Sequence, residues 1–66
     1  MSYIPGDRVR LIFTIDKYTG LKSGDKGTVE DTVIGNNFIR IWIRWDSGSF
    51  LSMLPLGGDR IEVIDN

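Results

Sequence analysis

The chain has 66 residues, no cysteine, no histidine, 41% hydrophobic residues and a formal charge of −1. So short a chain is one domain that buries only about 60% of the surface its unfolded form exposes, and it has neither disulfides nor histidine and cysteine metal ligands to add stability. The slightly acidic balance excludes a general attraction to nucleic acid or anionic membrane, while the apolar content is that of a globular chain.

The opening "MSYIPGDRV" has neither a basic start nor an apolar run, so no signal peptide is expected. No apolar stretch is long enough to span a bilayer, and a cytoplasmic protein is expected. No window keeps a helical period. Short alternating runs separated by turn residues predict an all-β domain instead. "RVRLIF" (8–13) is the first strand, with Val9, Leu11 and Phe13 inward and Arg8 and Arg10 outward. The connection "TIDKYTGLKSGDK" (14–26) is long for so small a domain. Ile15, Tyr18 and Leu21 are expected to fold back over one end of the core, with Tyr18 packing its ring and offering its hydroxyl. "GLKSGDKG" contains the residues of a phosphate-binding loop in the wrong order, because Asp25 separates Gly24 from Lys26, so it reads as a turn.

"GTVEDTVI" (27–34) is the second strand, with Val29 and Val33 inward and Thr28, Glu30 and Thr32 outward. This register turns Asp31 inward, near a rim or a bulge, and sends Glu30 and Asp31 to opposite faces, where they cannot act as a pair. "IGNNF" is a hairpin signal, since Gly and Asn tolerate positive φ. "FIRIWIRW" (38–45) then directs Ile39, Ile41, Ile43 and Trp45 to the core and Phe38, Arg40, Trp42 and Arg44 outward. "WDSGS" suits a three-residue loop with a left-handed Gly48. That loop places Trp45 opposite Ser49, Ile43 opposite Leu51 and Ile41 opposite Met53. "SFLSML" (49–54) is the fourth strand, "MLPLGGD" (53–59) a single 3₁₀ turn, and "RIEVI" (60–64) the last strand, with Ile61 and Val63 inward.

Strand, long loop, three-strand meander, single turn and short final strand is the order of a five-stranded SH3-like barrel with a long RT-type loop. "GDRVRLIF", "LKSGDKGTV", "IRWDSGSFLSMLP" and "GDRIEVI" together resemble a family of small, uncharacterised SH3-like domains of microbes and their mobile elements. "GDKGTV" (24–29) is also similar to the Gly-x-Val core of KOW motifs. The resemblance implies a fold and no activity. Polyproline recognition is not implied, because the first strand ends in "RLIFT" and the two tryptophans stand three apart on opposite faces.

The hairpin register gathers Phe38, Arg40, Trp42, Arg44, Phe50 and Leu54 on one outer face, edged by Glu30, with Tyr18 on the adjoining loop. Aromatics left in water forgo about 1.5–3 kcal/mol of burial each. Three readings follow. The face binds a protein partner, another copy included, since Trp, Tyr and Arg dominate interface hot spots. Alternatively it stacks the bases of a single-stranded nucleic acid on Trp42 and Phe50. In the third it satisfies itself, with Arg44 stacked on a ring and Glu30 paired to Arg40. No catalysis is expected, because no histidine can serve the serines as a base and so small a barrel has little room for a closed cleft. No cofactor, metal, membrane or small-molecule substrate is expected either.

Overall fold

A computed structural model describes residues 3–65. The alternating runs become strands β1 (Arg8–Phe13), β2 (Lys26–Ile34), β3 (Ile39–Trp45), β4 (Phe50–Met53) and β5 (Arg60–Asp65), with a 3₁₀ turn, η1, at Pro55–Gly57. They form one antiparallel sheet in the order β4-β3-β2-β1-β5. Among the described residues there is no α-helix. One face of the sheet carries the core of Val9, Leu11, Val29, Ile41, Ile43, Trp45 and Met53, with Tyr3, Leu21, Ile39, Leu51 and Ile61 packed around it. The radius of gyration is 10.7 Å. A compact domain of this length is expected near 11 Å, so the chain packs as tightly as a folded domain of its size should.

The β3–β4 hairpin has the expected register, with Ile41 opposite Met53, Trp42 opposite Ser52, Ile43 opposite Leu51 and Arg44 opposite Phe50. Trp45 N–H donates to Ser49 O at 2.8 Å, and Gly48 takes a φ of 107° in the loop. Gly35 serves a different purpose from the one expected. Its φ is not positive, but a Cβ placed on it would overlap the ring of Phe38. The hairpin closes with Gly35 N–H donating to Phe38 O at 2.9 Å, and the missing side chain leaves room for that ring.

Two bulges correct the expected faces. In β2 the pairing runs from Val29 opposite Ile43 directly to Asp31 opposite Trp42, leaving Glu30 unmatched. Beyond Glu30 the parity is inverted. Val33 lies opposite Arg40 and is exposed, Asp31 is exposed rather than inward, and Thr32 turns in to donate its hydroxyl to Tyr3 O at 2.7 Å. The tight turn Ile4–Asp7 fixes the bulge from below, since Val29 N–H donates to Asp7 O and Val29 O accepts from Gly6 N–H. A bulge adds twist, which a sheet needs to coil around so small a core. In β1, Leu11 pairs with Ile61 and Phe13 with Arg60, so Ile12 is the extra residue and Phe13 turns outward, 51% exposed. There the returning loop intrudes: Leu11 N–H donates to Asp25 O, Leu11 O accepts from Gly24 N–H, and the Ser23 hydroxyl donates to Ile12 O.

The loop between β1 and β2 covers the core with Leu21 alone. Ile15 and Tyr18 are exposed, Tyr18 at 95%, because Asp16 and Thr19 satisfy the loop's own backbone and hold its tip away from the sheet. On the edge strand β5, Ile61 packs on the core as expected, while Val63 is partly open to solvent.

Candidate functional site

The outer face of β3 is built by parity. Ile41, Ile43 and Trp45 are at most 1% exposed, so the side chains between them must point the other way. Trp42 and Phe50 stack across the β3–β4 pair, their ring centroids 5.3 Å apart and their planes 19° from parallel. The Arg40 guanidinium lies 5.7 Å from the Trp42 ring centroid, and that of Arg44 lies 5.0 Å from the Phe50 ring. Four of the six sequence-derived site residues thus form one continuous array. Phe38 stands at its edge, half-exposed against Gly35. Tyr18 is not part of it.

The two arginines differ in what completes them. Arg44 donates its Nε–H to the Glu30 carboxylate at 2.6 Å, so its charge is met within the sheet. The reading in which the face satisfies itself pairs Glu30 with Arg40; Glu30, unmatched at the bulge, meets Arg44 instead. Asp31, not Glu30, lies opposite Trp42, and its carboxylate accepts from the Thr32 amide at 2.9 Å. Both carboxylates therefore sit on exposed residues, against the expectation of opposite faces. Each is already engaged. Arg40 makes no ion pair among the described residues.

Beside Arg40 the surface is concave. A cleft of about 350 Å³ is lined by Val33, Phe38, Arg40, Trp42 and Leu54. Val33 is the wall that sequence reasoning missed, because only the bulge at Glu30 turns it outward. Leu54 also borders a second concavity, where Thr14, Ile15 and Asp16 of the loop face η1. Asp59 fixes that junction. Its carboxylate accepts from the Thr14 hydroxyl at 2.7 Å, from Ile15 N–H at 3.3 Å and from Leu54 N–H at 2.8 Å.

Elsewhere on the sheet two more arginines, both of β1, are paired to carboxylates. Arg8 holds Asp46 through two parallel bonds of 2.8 and 2.6 Å and also donates to the Thr28 hydroxyl, while Arg10 meets Glu62 at 3.4 Å. The hydrogen bonds from Arg8 hold the Asp46 carboxyl below the usual carboxylate range. Tyr3 is partly buried, and its desolvated phenol is pushed up. No group of three or more acidic residues able to hold a metal ion occurs among the described residues, and no helix is long and apolar enough to cross a membrane.

The chain belongs to the family described as a domain of unknown function, DUF4314, which matches residues 1–64. No curated protein and no solved structure matches it.

Proposed function

We propose that the chain is a non-catalytic interaction module, an SH3-like barrel that binds a protein partner through the outer face of β3. The observation that carries this reading is the asymmetry of that face. On the Arg44 side, the cation already has a carboxylate within the sheet, bonded through its Nε–H, and a ring beneath it. On the Arg40 side, a stacked but unpaired cation borders a mostly apolar cleft. A few aromatic and arginine side chains around a concave apolar centre are what an interface hot spot is made of. The SH3-like assignment is supported by strand order, the long first loop and the 3₁₀ turn before β5. A cytoplasmic setting belongs to the same proposal, in keeping with a cysteine-free chain; recovery of the tagged protein in a secreted fraction would argue against it.

The same geometry weighs against nucleic acid. Trp42 and Phe50 already stack on each other and each carries an arginine, so a base must displace these contacts before it can stack. Three of the nearby arginines are paired to carboxylates, which weakens the field a phosphate chain would meet. The test is affinity capture from cells with the wild-type protein and with Trp42→Ala, both verified as folded, followed by identification of what is retained. The expected result is a defined set of proteins lost with Trp42→Ala. Identical captures, or captures released by nuclease, overturn the proposal.

A further inference from the structure

We infer that the partner segment is acidic and apolar, with a carboxylate that pairs with Arg40 and a neighbouring apolar side chain that enters the cleft between Phe38 and Leu54. This rests on the reading of the β3 face as a protein-docking surface and adds the chemistry of what docks there.

The face carries its own template. Arg44 lies over Phe50 and donates to Glu30, giving a complete unit of ring, guanidinium and carboxylate. Four residues earlier on the same strand, Arg40 lies over Trp42 with no carboxylate. Asp31, which lies opposite Trp42 on β2, is turned onto the Thr32 amide and makes no ion pair. The guanidinium of Arg40 makes no ion pair within the described residues, so the edge of its N–H fork is open to one. The match for that edge is a planar oxyanion held by two parallel bonds. Contact with the Trp42 ring also restrains the Arg40 side chain before binding, so less rotamer freedom is lost when the anion arrives.

Beside this cation the cleft walls are Val33, Phe38, Trp42 and Leu54, all apolar or aromatic. A lone phosphate or acetate satisfies the charge and leaves the walls wet, whereas a hydrocarbon ligand fills the walls and leaves the cation unmatched. A peptide carrying an acidic residue beside a leucine-sized one satisfies both. A nucleic acid strand supplies the anion but needs the ring faces that the arginines cover.

The test is selection of random dodecapeptides displayed on phage against the intact protein, with Arg40→Gln selected in parallel. Arg40 is on the surface, so the variant is expected to fold, which an unchanged urea unfolding curve followed by far-ultraviolet circular dichroism verifies. The expected outcome is enrichment of Asp or Glu beside a large apolar residue on the wild type and loss of the acidic preference on Arg40→Gln. A selected peptide then binds about tenfold tighter than its Glu→Gln analogue, as a charge-assisted bond predicts, and Arg40→Gln abolishes the difference. Peptides that need Trp42 but show no acidic preference overturn this inference and leave the docking surface standing. If no selected peptide depends on Trp42, both fall. Preferential binding of oligothymidylate at Trp42 replaces both with the nucleic-acid reading.

Discussion

Trp42 and Trp45 stand three positions apart and do opposite work. Trp45 is at most 1% exposed and fills the core, whereas Trp42 is half-buried and leans on Phe50 and Arg40. Removing Trp42 deletes a stacking pair and part of a ring's burial, so Trp42→Ala is expected to fold with a loss of about 1–2 kcal/mol. Urea unfolding followed by Trp45 emission measures it, and outright unfolding would place Trp42 in the core. Gly35 acts at the same scale. A methyl group there overlaps the Phe38 ring, so Gly35→Ala is expected to displace Phe38 and open the cleft while the core stays packed. The readout is the Phe38 ring resonances, which move, set against the Ile41 and Ile43 methyl resonances, which do not. Shifts at the methyls and none at Phe38 would contradict the assigned role of this glycine.

Most elements were legible because their signals are local. Alternation and turn residues placed every strand within a residue or two, and the "WDSGS" loop set the β3–β4 register, hence the array of Arg40, Trp42, Arg44 and Phe50. Three errors of strand facing share one physical origin. A bulge inserts a residue that no composition signal marks, because Glu30 and Ile12 are ordinary strand residues whose unmatched positions are set by bonds to distant segments. Val33, Asp31 and Phe13 were each assigned to the wrong face for that reason. Asp59 was passed over on similar grounds, since a lone aspartate after two glycines reads as turn polarity. Its carboxylate in fact ties Thr14 and Ile15 of the long loop to Leu54 before η1. Removing it strands two backbone amides and a hydroxyl at a partly buried junction, a loss of roughly 1–3 kcal/mol. Asp59→Ala is therefore expected to lower the urea midpoint and to raise amide exchange at Ile15 and Leu54 above that elsewhere. Uniform exchange across the sheet would deny the carboxylate a local role.

At the scale of the molecule the margin is thin. A chain of this length has roughly 3–10 kcal/mol of stability at the usual value per residue, and Ile41→Ala, which leaves a cavity at a fully buried position, is expected to remove about 2–5 of it. Surface ion pairs matter less, but one of them is directional in pH. Arg8 on β1 grips Asp46 at the turn of the β3–β4 hairpin, bridging two strands that are not neighbours in the sheet. Those hydrogen bonds, with the charges of Arg8 and Lys26, lower the Asp46 pKa against a smaller opposing effect of desolvation. A carboxyl whose pKa is lower in the folded state stabilises that state fully above its unfolded value of about 3.9. The contribution disappears as pH falls from there through the folded value, because the unfolded chain binds the proton first. Asp46→Asn removes the titrating group, so the variant should melt below the wild type at neutral pH and the two curves should converge as the solution is acidified. Both side chains of the pair are solvent-accessible, so added salt should narrow the neutral-pH gap. Melting curves that stay parallel from neutral to acid would mean that the Arg8–Asp46 contact carries no pH-dependent stability, whatever its geometry.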